Sequence, residues 1–233
     1  MTSFPSPIPS IMLFLALTMQ FRFGESFSAI NSNATPKVKT FHFGAGCFWA
    51  PADKIKSMPG IVSTSVGYCG DDTVSPDAAI SYEKVCGGRT KLVEAVRVEY
   101  DANQLSYEDL LPIFAEVNTA EYGNKRQYSG VIFTSSKEER KIASNYLEEN
   151  KQVVASVEEM SSNYYKAEKY HQDYWAKWRT RIPLLVGGLF LISKIGGDMS
   201  QTIYNFVCYG FIGFTLIERK IDTAVETISA RND

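Results

Sequence analysis

Val38-Lys39-Thr40-Phe41-His42-Phe43-Gly44-Ala45-Gly46-Cys47-Phe48-Trp49 is the stretch from which the fold is read. Val38 to Phe43 has the pattern of a strand. Gly44 and Gly46 mark a tight turn, and a helix is expected beyond it. Cys47 therefore sits at a strand-to-helix turn with two aromatic faces beside it. Backbone N–H groups and the helix dipole favour a thiolate at such a position. A thiolate beside an apolar aromatic patch suits attack on a neutral, methyl-bearing substrate. The competing reading is a small buried cysteine followed by two core aromatics, since free cysteine is among the most buried residue types. The rest of the chain decides between them.

Working outward, residues 36–179 read as one α+β domain. Ala52 to Met58 is a short helix closed by Pro59-Gly60. Ile61 to Tyr68 is β-branched and alternating, so it reads as a strand. Gly70 to Asp77 is loop. Leu92 to Tyr100 alternates again, and Asp101-Ala102-Asn103 turns the chain. Ser106-Tyr107-Glu108-Asp109 caps a helix whose apolar positions are Leu110, Leu111, Ile113, Phe114 and Val117. Gly130 to Thr134 is a further strand, and a charged amphipathic helix runs from Lys137 to about Gln152.

A length of 233 residues with 45% hydrophobic content suits one medium domain with extensions. A net charge of −2 gives no basic footprint for nucleic acid. The four cysteines, Cys47, Cys69, Cys86 and Cys208, form no Cys-x-x-Cys pair. With only two histidines in the chain, no metal site is expected.

The two ends differ from the middle. Residues 1–35 read as a targeting segment. Ile11 to Leu17 is a short apolar core, with small residues following at Ser26, Ser28 and Ala29. Glu25 to Ile30 resembles the cleavage region of bipartite plastid presequences. An ordinary secretory signal is the other reading, so an organellar or secretory destination is expected, with a plastid among the organelles. Residues 180–233 form an apolar extension with runs at Ile182–Ile192 and Ile203–Ile217. Each run is shorter than the ~20 residues of a comfortable membrane span. Membrane contact through residues 182–217 and packing on the domain both stay open.

Six segments, in order, resemble the A-type peptide methionine sulfoxide reductases. Phe43-Gly44-Ala45-Gly46-Cys47-Phe48-Trp49 resembles the family's nucleophile signature. Val66-Gly67-Tyr68-Cys69-Gly70 resembles its Gly-Tyr-x-Gly turn. Tyr82 to Thr90 resembles its Tyr-x-x-Val-Cys-x-Gly-x-Thr stretch, and Glu94 to Asp101 the following strand. Arg126-Gln127-Tyr128-Ser129 resembles its Gln-Tyr-Arg-Ser segment, and Ala167 to Tyr174 its Ala-Glu-x-Tyr-His-Gln element. The resemblance covers about residues 37–178. It implies a two-layer mixed α/β sandwich, here with a hydrophobic C-terminal extension.

The resemblance also implies roles. Cys47 would attack the sulfoxide sulfur, and Phe48 and Trp49 would hold the substrate methyl group. Glu94 would stay protonated by burial and donate to the sulfoxide oxygen. Tyr82 and Tyr128 would hydrogen-bond that oxygen. Cys47 would end as a sulfenic acid, which a second thiol reduces. Cys69 ranks first as that resolving thiol for its loop-like polar context, then Cys208, then Cys86. No cofactor is implied beyond an external dithiol such as thioredoxin. His171 is expected to be structural, packed near the site.

The chain departs from the family pattern in three places. Ala50-Pro51-Ala52 follows the tryptophan where the family has glycine and then an acidic residue. Lys91-Leu92-Val93-Glu94 lacks the family's histidine. The loop Asn118–Lys125 is short and carries Glu121 but no aspartate. These departures motivate a second reading, a non-catalytic and membrane-tethered homologue that binds oxidised methionine or a protein partner. A peroxide-type sensor using Cys47 alone is the third, and it leaves the aromatic pair unexplained.

Overall fold

A computed structural model of the chain describes residues 35–121, 125–160, 163–195 and 198–232. The expected targeting segment falls outside these residues. The chain divides into two units, Met1–Thr35 and Pro36–Asp233.

The second unit is built on one six-stranded sheet. Its strands are β1 (Val38–Ala45), β2 (Ile61–Cys69), β3 (Val93–Asp101), β4 (Gly130–Thr134), β5 (Ser156–Glu159) and β6 (Tyr165–Lys166). Their spatial order is β5-β4-β1-β3-β2-β6. Only the β4–β5 pairing is parallel. That pairing needs a crossover, which α4 (Lys137–Glu149) supplies.

Alternation along the strands builds two apolar layers. Phe41, Phe43 and Ala45 of β1, with Val96, Val98 and Tyr100 of β3, join the larger core. Helices α1 (Trp49–Lys56), α3 (Tyr107–Val117) and α4 cover that face. Leu110, Leu111, Phe114 and Val117 are the buried stripe of α3. Its expected start is confirmed by a reciprocal capping box between Ser106 and Asp109. On the opposite face Val93, Ala95, Val131 and Phe133 form a smaller cluster under Met160 and Tyr164.

Two differences from the expected elements follow from local physics. Helix α1 starts at Trp49, not Ala52. Pro51 lies in its first turn, where a missing N–H breaks no bond. A short helix, α2 (Tyr82–Cys86), stands where the sequence lacks any helical periodicity.

The C-terminal extension is helical. Helix α5 (Tyr174–Ile195) runs straight through the expected boundary at 179/180, and α6 (Asp198–Asn232) packs back along it. A bidentate pair ties Arg179 of α5 to Asp53 of α1 at 2.6 and 2.8 Å. A second ion pair joins Lys56 and Asp173. No helix among the described residues is long and apolar enough to cross a membrane.

Candidate active site

Gly46 adopts φ +81°, a conformation that L side chains rarely take. A Cβ there would also overlap Thr119 Oγ1. Thr119 is fastened to the end of β1, with its N–H and Oγ1 both donating to Ala45 O at 3.1 and 2.9 Å. The glycine thus lets the chain turn sharply under a neighbouring loop and presents Cys47 at the surface.

Register places Glu94 beneath that turn. It pairs with Tyr68 across β2 and β3, and by the two-residue period it shares a face with Val96, Val98 and Tyr100. Its side chain is 1% exposed. Oε2 accepts the Phe48 N–H at 3.3 Å, and Oε1 accepts Gln127 Nε2 at 3.3 Å. Burial pushes the carboxyl up to about 7, against the opposing pull of those two donors. Glu94 therefore holds a proton into the neutral range.

Although the residue is exposed, the Cys47 thiol is also pushed up, first by partial desolvation against the site. A hydrogen bond from the Trp49 N–H opposes that shift, and the nearby Glu94 charge adds to it. The helix start thus contributes the stabilisation expected of it, yet desolvation outweighs it. Protonating Glu94 removes the repulsive part.

Tyr82 and Tyr128 meet at this point. Their side chains hydrogen-bond each other, and Tyr82 also bonds Cys86 on the next turn of α2. Burial raises both phenols, so both remain proton donors at neutral pH. Gln127 completes the network, because its one amide nitrogen donates to both Cys86 Sγ, at 3.2 Å, and Glu94.

The aromatic pair divides its work. Phe48 is buried among Tyr68, Trp49 and His171. Trp49 is half-buried and held on two sides. Its Nε1–H donates to His171 Nδ1 at 3.2 Å, and Tyr174 stacks on its ring at 3.9 Å and 5°. His171 is the packing residue that the sequence suggests. Glu168 braces the same corner, accepting from Tyr82 N at 2.8 Å and Tyr68 Oη at 3.1 Å. Sequence reasoning missed Gln127, Glu168 and Tyr174 as builders of the site. All three lie inside quoted motifs, but only burial and geometry expose their work.

The loop-like polar setting expected of Cys69 is corrected. Cys69 is not in a loop; it is the last residue of β2, paired with Val93 and fully buried. Its side chain joins the small cluster on the opposite face of the sheet from Tyr68 and Glu94. Burial there drives its thiol strongly upward. Cys208 is half-buried in α6. Cys86 alone of the three touches the site's hydrogen-bond network. Glu121 is exposed, and residues 122–124 of the shortened loop lie outside the described residues. Among the described residues no cluster of His, Cys, Asp and Glu could hold a metal ion.

An exposed thiol on a glycine turn, above a carboxyl that keeps its proton, defines a thiol-dependent redox centre for a neutral, proton-accepting substrate. A family model described as peptide methionine sulfoxide reductase matches residues 39–185, and the chain belongs to that family. A peptide methionine sulfoxide reductase MsrA from Methanothermobacter thermautotrophicus is 37% identical over 147 residues, spanning 58% of this chain and 85% of the relative. One from Salinispora arenicola is 37% identical over 148 residues, and there the chain covers 66% of the relative's length. Among solved structures, methionine sulfoxide reductase A of Corynebacterium diphtheriae superposes with a TM-score of 0.52. It is 26% identical, with 62% of this chain and 76% of that one covered. Helix α6 lies wholly beyond the residues matched by the family model.

Proposed function

We propose that the chain reduces methionine S-sulfoxide, free or within peptides and proteins, to methionine, with Cys47 as the nucleophile. The observation that carries this reading is the buried Glu94 beneath the Cys47 turn, with a carboxyl that stays protonated up to about pH 7. A sulfoxide oxygen is a poor leaving group until protonated, and Glu94 is placed to supply that proton. The Cys47 sulfur attacks the sulfoxide sulfur while Tyr82 and Tyr128 donate to the oxygen. The S–O bond breaks, the sulfoxide sulfur gains two electrons, and the oxygen ends on Cys47 as a sulfenic acid. Trp49 offers the methyl group an apolar face that water cannot replace.

A second thiol then displaces water from the sulfenic acid, forming a disulfide that an external dithiol reduces. A thioredoxin-like protein suits that last step, and no prosthetic group takes part. Cys86 is the internal thiol best placed to assist. The non-catalytic reading is disfavoured because a binder has no use for a proton held beneath a reactive thiol.

Two further proposals concern the ends of the chain. The apolar core Ile11–Leu17 supports delivery to an organelle or the secretory pathway. Exposed Leu184, Phe190, Leu191, Phe206 and Tyr209 on α5 and α6 support interfacial membrane contact. Flotation of the full chain with vesicles tests that contact.

The activity test is direct. The purified chain with dithiothreitol should reduce a methionine S-sulfoxide peptide and leave the R epimer untouched. Cys47→Ser should abolish turnover. Equal loss of both epimers, or no turnover of either, would sink the reading.

A further inference from the structure

A cavity of about 220 Å³ lies beside the thiol site, between the catalytic domain and the C-terminal helices. Trp49 and Tyr82 form its inner wall, Tyr174 and Trp178 of α5 its side, and Thr215 and Glu218 of α6 its outer wall. Trp49 and Tyr82 are also residues of the thiol site, so the cavity adjoins it. The outer wall belongs to a helix beyond residues 39–185, and is therefore an addition of this chain to the family domain.

The walls are fixed before any ligand arrives. Tyr174 stacks on Trp49 at 3.9 Å, and Trp178 meets Phe211 of α6 edge-on at 5.9 Å. Arg181 and Glu218 neutralise each other at 2.6 Å, with Arg181 also over the Phe214 ring at 5.7 Å. Lys177 also lines the space, its ammonium donating to Lys169 O at 3.1 Å, and the faces turned inward are mostly aromatic. A mostly aromatic space of this kind rewards an apolar side chain.

Resting on the proposed reductase activity, we infer that this vestibule is a subsite for the residue next to the oxidised methionine in a polypeptide, and that it takes an aromatic or large aliphatic side chain. With the substrate methyl group against Trp49, the adjoining Cα lies about 4 Å from the methionine's own Cα, and a backbone bent at that point, rather than extended, carries both side chains to one side. The adjoining side chain can then enter the space that Trp49 shares with Tyr174 and Trp178. The extension would thereby bias the enzyme towards sulfoxides exposed from apolar segments, which unfolded or damaged proteins display.

The test uses the full chain and two acetylated peptides, with methionine S-sulfoxide flanked on both sides by Phe or by Gly. The wild-type chain should favour the Phe peptide about tenfold in kcat/KM, with the difference carried by KM. Thr215→Trp, which fills the vestibule, should bring the ratio close to one. Trp178→Ala, which removes a wall without adding bulk, should do the same. A ratio near one in the wild-type chain, with both peptides reduced, overturns the subsite and leaves the activity standing. A preference that survives both substitutions also overturns it. Reduction of neither peptide removes the activity reading, and the subsite falls with it.

Discussion

The backbone N–H of Phe48 donates to Glu94 Oε2 at 3.3 Å, so the turn that carries the thiol is pinned to the strand that carries the acid. The bond crosses from the start of α1 to the start of β3. It sets the height of Cys47 above the carboxyl, and through Gln127 it reaches Cys86.

Replacing Glu94 by Gln should lower turnover by about 10²–10⁴-fold, the usual weight of a general acid. The same substitution should stabilise the fold at high pH. The folded carboxyl titrates near 7, above its ordinary 4.5, so the folded state binds more protons between those values. Stability of the wild-type chain therefore falls as pH rises from 4.5 through 7, by about 3 kcal/mol. Urea denaturation at pH 8 should show Glu94→Gln more stable than wild type by that order, with the gap closing near pH 4.5. No change in the gap with pH would mean that the buried carboxyl is not strained.

The pH–rate profile should carry the same signature. The active form needs a Cys47 thiolate and a protonated Glu94, yet the acid, even raised to about 7, titrates below the thiol, which is raised from a higher ordinary value. The kcat/KM for a sulfoxide peptide should rise with pH up to about 7, then level off until the raised thiol titrates, and fall beyond it. In Glu94→Gln the break near 7 should vanish and the slow residual rate keep climbing. A fall in the wild-type rate immediately above pH 7 would contradict this ordering of the two groups.

Much of this frame is legible in the sequence, and the failures have physical causes. Strands β2 and β3 announce themselves by alternation, β1 and β4 by short strand-like runs, and Ser106 and Asp109 by their capping pattern. Strand β5 reads Ser-Val-Glu-Glu and is built by its parallel neighbour β4 rather than by its own pattern. Strand β6 is two residues long, below any periodic signal. Cys69 shows how sharp register is. Ending β2 one residue early turns a buried strand position into an apparent loop thiol, and a single step also changes the face of the sheet. Glu94 is found because its role needs only burial and alternation. Gln127 is not, because its task depends on three chain segments meeting.

The buried setting of Cys69 carries its own prediction. Cys69→Ser places a hydroxyl among Val93, Ala95, Val131 and Phe133 and should cost about 1–3 kcal/mol of stability. Thioredoxin-supported turnover of the folded variant should stay within about twofold of wild type, because the thiol faces away from Cys47. Cys86→Ser should slow that recycling while sparing a single turnover without reductant. Loss of recycling with Cys208→Ser instead would move the resolving role to α6.

Gly46 offers the most local test of how the thiol is displayed. Gly46→Ala meets two separate obstacles, the φ of +81° and the overlap with Thr119. The backbone strain alone costs about 1–2 kcal/mol, and pushing Thr119 away strains its two bonds to Ala45 O. Thermal denaturation should show a clear loss of Tm, and kcat/KM should fall as Cys47 shifts from its place above Glu94. Adding Thr119→Gly removes the overlap but not the strain. The double variant should therefore recover part of the rate lost through displacement of the turn, while staying less stable than wild type. Full activity in Gly46→Ala alone would mean that the turn does not set the position of the thiol.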